Sequence, residues 1–474
     1  MLDHAPLLER IFSLDLKEQS YRIESIDGHI PDYVQGNYYL NGPAQFTNGD
    51  FRYRNWLDGD GMVCALRFEN GQIHFTNRFV RTTKRVAEEE AGKPLYRMFG
   101  TAFEGDRLKR GIGTESPANV SIYKFGDRLL AFGEQSIPFE LHPTTLETLD
   151  IFTFNGRLNK LSPFSAHPKI DSETGDLFNF GISFSATNPS LTVYRFNGDG
   201  DMVYRKRTSI DYACTTHDFG ISQTYCIFYL CPYILDIGVL MAEGGATIDA
   251  LKWSPERGSQ MRLFSRETGE EQAAIPMGNR YCLHLSNCFE ENGLVTVDVI
   301  EHDRTLYDQY QVIPDLFTTA SRGGPVRYLI DPKKNMIVDR HEIEYYVAPD
   351  FPAFDPRRFT KSYDDMWMLG ISAAGEEGRK FLDQLVHLEW KDKTVRDVYQ
   401  APPKHYLGGE PVFIGNPNDE NEGLIICQQF DAETRHGTFL LFDAFRVAQG
   451  PVATLHLQNP IHLGFHAFFE QTGD

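Results

Sequence analysis

Ser165-Ala166-His167-Pro168-Lys169-Ile170-Asp171 lies between a polar loop, Asn155 to Lys160, and a segment of strand character, Leu177 to Phe184. A histidine at the lip of a strand and followed at once by proline has its backbone direction fixed. Pro168 holds its own φ and drives the residue before it toward extended geometry. Three other histidines stand in comparable settings: Thr215-Thr216-His217-Asp218-Phe219, Leu283-His284-Leu285-Ser286-Asn287 and Leu463-Gly464-Phe465-His466-Ala467-Phe468. Each sits among apolar or small residues at the edge of an expected strand. Their separations of 50, 67 and 182 residues exclude a local metal motif such as a finger or H-E-x-x-H. Such spacing suits a radial fold in which each sheet sends one strand end to a common axis. Imidazole accepts zinc, copper and iron alike, so spacing alone does not choose the metal.

The rest of the chain reads as short strands punctuated by turns. Val63 to Phe68 alternates, Glu69-Asn70-Gly71-Gln72 turns, and Ile73 to Arg81 returns, which is a hairpin with its turn chemistry visible. Gly36 to Phe46 reads as a short strand ending in an Asn41-Gly42-Pro43 turn, and Trp56 to Met62 as another tight turn. Residues 1–35 read as an N-terminal arm, and Lys84 to Glu115 as a charged excursion with some helix. Helical periodicity is scarce elsewhere; the candidates are Glu376 to Asp383 and part of Leu240 to Trp253. Strands recurring over the whole length point to an all-β fold, a propeller or a large sandwich. No repeat is strong enough to count blades. No Pro/Ser-rich linker interrupts the pattern, so residues 1–474 are expected to form a single domain.

Composition narrows the function. With 46 basic and 66 acidic residues the formal charge is −20, which repels phosphate backbones and argues against nucleic-acid binding. Any membrane contact has to be hydrophobic rather than electrostatic. The 13% aromatic content, with 35 Phe and 22 Tyr, fits strands, and it also fits an aromatic tunnel for an apolar ligand. Seven cysteines without a C-x-x-C pair read as reduced thiols. Neither a signal peptide nor a spanning apolar segment is visible, and a cytoplasmic location is expected.

Taken together, Gly36 to Pro43, Trp56 to Met62, Phe79-Val80-Arg81-Thr82, Ser165 to Ile170, His217-Asp218, Gly409-Glu410-Pro411 and His466 resemble the carotenoid cleavage oxygenase family, in its order and over nearly the entire chain. The resemblance implies a seven-bladed β-propeller with a loop and helix cap over the metal-bearing face. It implies a non-haem Fe(II) held by His167, His217, His284 and His466, O₂ as co-substrate, and cleavage of a conjugated double bond in a carotenoid or apocarotenoid such as a retinal precursor. It also implies carboxylates that orient three of the histidines: Glu134, Glu410, and Asp350 where the family places Glu before Phe-Pro. Aspartate is one methylene shorter, so contact through water or a shifted backbone is expected there. Stilbenoid-cleaving members carry Lys at the position of Gly133, and a glycine there is expected to leave room for a bulkier polyene. Ile227 to Ala246 is expected to supply an apolar membrane patch through Leu235, Ile237, Val239, Leu240 and Met241. The remaining readings are a stilbenoid or phenylpropanoid dioxygenase, a retinyl-ester isomerohydrolase, and a non-catalytic propeller that binds apolar ligands or proteins. His302, His341, His387, His405, His436 and His462 are read as structural or solvent residues.

Overall fold

The computed structural model describes residues 5–108, 113–185, 187–241, 245–306, 313, 316, 321–345, 348–372 and 381–472. Among them, seven antiparallel sheets of four or five strands are arranged as the blades of a β-propeller, which decides between the propeller and the sandwich. From the first blade to the seventh, the innermost strands are Ala467–Gln471, Ser121–Phe125, Lys169–Ile170, Gly220–Ile221, Tyr281–Glu291, Asp350–Phe354 and His405–Asn416. Both ends of the chain close the ring. Ala467–Gln471 pairs with Gly36–Gln45 in the first blade, with Gly36 opposite Gln471 and Leu40 opposite Ala467. Ile26–Gly28 joins the outer edge of the seventh blade against Ala453–His456. Sheet edges at the closure are therefore satisfied by hydrogen bonds rather than left open.

The hairpin read from the sequence is present. Asp60–Glu69 pairs with Gln72–Phe79 down to Glu69 opposite Gln72, and the loop residues Asn70 and Gly71 have φ of 50° and 73°. Two successive positive φ values define the turn whose twist matches the strands. The Asn41-Gly42-Pro43 turn is not a turn. Gly36–Gln45 runs straight through it, with Asn41 opposite Val63 and Gly42 opposite Met62. The side-chain amide of buried Asn41 donates to the carbonyls of Ala118 and Ser121, both at 2.9 Å. A Cβ on Gly42 would meet Gly464 Cα at 2.7 Å, so these residues serve a close approach of backbones.

Helices are few. Thr83–Ala91 confirms helix in the charged excursion; Thr82 Oγ1 caps it by accepting from Arg85 N, and Gly92 ends it at φ 62°. Part of Leu240 to Trp253 is helical, as expected: the short helix Ile237–Met241 ends inside it and Ile248–Ala250 is a single 3₁₀ turn, whereas Leu251–Trp253 is a strand. Of Glu376 to Asp383, residues 376–380 lie outside the described residues, and 381–383 are not helical. The N-terminal arm contains the helix Ala5–Phe12, whose Leu8, Ile11 and Phe12 enter the main core beside Phe46 and Trp56. In the helix Thr83–Ala91, fully buried Lys84 lies 2.9 Å from Asp60 and 2.8 Å from Glu88. Burial pulls its ammonium down, but Asp60, Tyr53 and Glu88 more than offset this and raise it. All seven cysteines are buried and unpaired.

Candidate metal centre

The third, fourth, fifth and first blades deliver the four histidines at or near the start of their inner strands. His167 ends the loop before Lys169–Ile170, and His217 stands before Gly220–Ile221. Ser165 ties these two together: its Oγ donates to the His217 carbonyl at 3.0 Å and accepts from His167 N at 3.1 Å. His284 lies within Tyr281–Glu291, where the register slips between Cys282 and Leu285 and frees the ring from ladder geometry. His466 immediately precedes Ala467–Gln471, and its carbonyl accepts from Asn41 N at 3.1 Å.

One ring nitrogen from each of these histidines lies within 4.8 Å of the others. His167 Nε2 and His217 Nε2 are 2.9 Å apart, and the ring of His167 is 4.3 Å from that of His466 and 5.3 Å from that of His284. The outward nitrogens meet carboxylates from other blades. His217 Nδ1 lies 2.5 Å from Glu134 Oε1. His284 Nδ1 is 2.6 Å from Asp350 Oδ1, and His466 Nδ1 is 3.3 Å from Glu410 Oε2. The short Asp350 side chain thus makes direct contact, without water. The backbone supplies the reach: the register breaks between Asp350 and Ala353, and Phe351 sits at φ 55° with its N–H on Asp350 Oδ1 at 2.9 Å. A left-handed, bulky residue is strained, and such strain concentrates at functional sites.

Electrostatics follow from burial and these partners. Burial, together with the rings of His466, His217 and His284 and the Lys169 ammonium, holds His167 well below the ordinary imidazole value. Burial also lowers His466, against the opposing pull of Glu410. For His284 burial acts downward, but Asp350 outweighs it and raises the ring; that ring in turn holds the buried Asp350 below its usual range. Nδ1 of His284 and of His466 is engaged by Asp350 and Glu410, which leaves the other nitrogen of each ring to face the cluster. His284 Nε2 is buried with no hydrogen-bond partner. An orphaned buried polar atom is costly. A cation between the rings would satisfy that atom, so the four converging ring nitrogens fit a metal such as iron, zinc or copper.

Aromatic rings border the histidines. Phe351 lies 5.6 Å from His284 and 5.3 Å from His466, Phe465 follows at 6.2 Å, and Trp56 is 4.7 Å from Phe465. The four histidines thus cluster, and Glu134, Asp350 and Glu410 each contact one of them. Asp218, Lys169 and Phe351 also stand at the cluster; their signal in the sequence is a place beside His217, beside His167 and beside Asp350 respectively. The other histidines stay out of the cluster among the described residues. His387 contacts Asp365 at 2.8 Å, whereas the ring nitrogens of His302 and His462 are buried without side-chain partners. Gly133 does not open space: a Cβ there would meet Ser116 Oγ at 2.1 Å and Ala118 N at 3.0 Å. Of the apolar patch, Leu235 and Leu240 pack inward with Ala250, while Val239 and Met241 are exposed and Ile237 is half-buried.

A sequence profile described as retinal pigment epithelial membrane protein (RPE65) matches residues 12–471. The chain belongs to the RPE65 family. Within this family it is 31% identical over 480 residues to an apocarotenoid-15,15'-oxygenase of Synechocystis sp., covering 96% of this chain and 94% of that one. It is 26% identical over 505 residues to resveratrol cleavage oxygenase 1 of Chaetomium globosum, covering 93% of this chain and 84% of that one. Among solved structures, cobalt-substituted Synechocystis ACO superposes with a TM-score of 0.86 at 27% identity, over 98% of this chain and 99% of that one. RPE65-family relatives of this chain are named oxygenases and dioxygenases that act on carotenoids, apocarotenoids or stilbenoids.

Proposed function

We propose that this protein is a non-haem Fe(II)-dependent dioxygenase that cleaves a conjugated C=C bond of a carotenoid or apocarotenoid into two carbonyl products. The observation that carries the reading is the convergence of four imidazoles, each from a different blade, with ring nitrogens within 4.8 Å of one another. His167, His217, His284 and His466 hold the metal, and Glu134, Asp350 and Glu410 fix the tautomer and angle of three of them. When bound, iron supplies the activation of O₂. The remaining work is positioning: Phe351, Phe465 and Trp56 form an apolar, aromatic border that holds a polyene against the centre and excludes water. No acid or base of the chain is required for the cleavage. Residues 1–474 act as one domain, supported by the closure of the ring from both termini.

A stilbenoid substrate is the second reading, favoured by the near full-length match to a resveratrol-cleaving relative. Its counterweight is the higher identity to the apocarotenoid enzyme. Among the described residues no helix is long and apolar enough to cross a membrane. Contact with a bilayer, and delivery of an apolar substrate from it, would run through Ile237, Val239 and Met241. The test is incubation of iron-loaded protein with carotenoids, apocarotenals and stilbenes of graded length, with products separated by chromatography. Aldehydes from polyenes support the reading, aldehydes from stilbenes alone support the second, and no cleavage of any substrate overturns both. Liposome flotation checks the surface: Val239→Ser with Met241→Ser reduces binding, and unchanged binding removes the membrane contact.

A further inference from the structure

Three of the four histidines have a carboxylate on Nδ1; His167 has none in direct contact. The carboxylate nearest to it is buried Asp218, whose Oδ1 lies 3.9 Å from His167 Nδ1. This side chain is fastened on every side. Lys169 Nζ holds Oδ1 at 2.8 Å, Phe219 N donates to Oδ1 at 2.8 Å, and Leu285 N donates to Oδ2 at 2.9 Å. Those partners belong to three consecutive blades. Lys169 is two residues from His167, Phe219 two from His217, and Leu285 next to His284.

We propose that Asp218 is a fourth positioning carboxylate: it orients the His167 ring through its charge and, by bonding beside three histidines at once, sets the relative height of their strands. The inference rests on the four-histidine reading above. A carboxylate 3.9 Å away, held in a dry site, attracts the Nδ1–H and so turns Nε2 toward the axis, without the direct bond the other three histidines have. Lys169 is the cation paired with the buried Asp218 carboxylate, and its ammonium lies 5.9 Å from the Phe219 ring. Carboxylates that orient metal-bound histidines are typically worth 10- to 100-fold in metal affinity, and the longer separation places Asp218 at about tenfold.

The test uses the full chain stripped of metal and titrated with Co(II), reading affinity and the visible ligand-field spectrum, beside the thermal midpoint of the metal-free protein. The variants are Asp218→Asn, Lys169→Met and the double variant. Asp218→Asn should lower Co(II) affinity about tenfold and shift the spectrum. The double variant removes the unpaired ammonium, so it should regain thermal stability while affinity and spectrum stay altered. It also carries the test if Asp218→Asn fails to fold. Wild-type affinity and spectrum in the double variant would show that Asp218 only balances Lys169, and would overturn the proposal. Wild-type protein that binds no Co(II) would instead overturn the four-histidine reading itself.

Discussion

Replacing Asp350 with Asn isolates the contribution of one buried charge to the histidine centre. Asp350 Oδ1 is 2.6 Å from His284 Nδ1 and 2.9 Å from Phe351 N, and both side chains are buried. Asparagine keeps the volume and one acceptor oxygen but removes the negative charge. Burial then acts on His284 with its main opposing influence gone, since Asp218 and Glu410 contribute less. The ring becomes a poorer ligand. Loss of such a partner costs 10- to 100-fold in metal affinity, or about 1.4–2.7 kcal/mol, and the short, dry contact argues for the upper half of that range. Asp350→Ala should also leave His284 Nδ1 buried and unpaired, at about 1–3 kcal/mol of stability. Chelator competition on metal-free protein measures the first quantity, and denaturant unfolding the second. An Asn variant that binds metal within about twofold of wild type would refute the assignment of Asp350 as a partner that matters to the metal.

Three further outcomes follow from burial and charge. His302 is fully buried and held down to about 4; a lowered imidazole gives stability that is present above its unfolded value of about 6.5 and is lost as pH falls toward 4. His302→Leu should therefore shrink the stability difference between pH 7 and pH 4.5 by about 2–3 kcal/mol, measured by urea unfolding at both pH values; an unchanged difference contradicts this. Lys84→Met leaves Asp60 and Glu88 buried without their shared cation and should cost about 3–5 kcal/mol, seen as a lower denaturant midpoint. Gly133→Ala drives a methyl into Ser116 Oγ and the Ala118 backbone and should cost about 1–3 kcal/mol by thermal unfolding, whereas a neutral result would mean that this loop yields freely.

Much of the centre was legible because its chemistry sits in short motifs. His167 is directed by Pro168, and each carboxylate falls beside Gly or Pro in a recognisable context. The fold was legible in class but not in detail, and the losses have physical causes. Hairpins such as Asp60–Glu69 with Gln72–Phe79 announce themselves by their Asn-Gly turn and by the alternation at the start of Gln72–Phe79. Inner strands do not. Lys169–Ile170 and Gly220–Ile221 are only two residues long, and His405–Asn416 is interrupted by Gly408, Gly409 and Pro411, where the register shifts. Asp350–Phe354 is almost wholly buried, so it shows no two-residue period. Asn41-Gly42-Pro43 carries turn residues but uses them to let backbones approach, a choice made by partners that arrive from residues 118–121 and 464. The helix Ala5–Phe12 had a readable signal, since Leu8, Ile11 and Phe12 recur at helical spacing. The direct bond from Asp350 depended on a left-handed Phe351, which no periodicity announces.

The most direct test of the central claim is metal content, by plasma mass spectrometry, after anaerobic reconstitution with Fe(II) and removal of free ions. Four imidazoles closing on one point predict about one iron per chain in the wild type and a marked loss in each of His167→Ala, His217→Ala, His284→Ala and His466→Ala. A folded wild type that retains no iron, or four alanine variants that all retain it, would contradict the account.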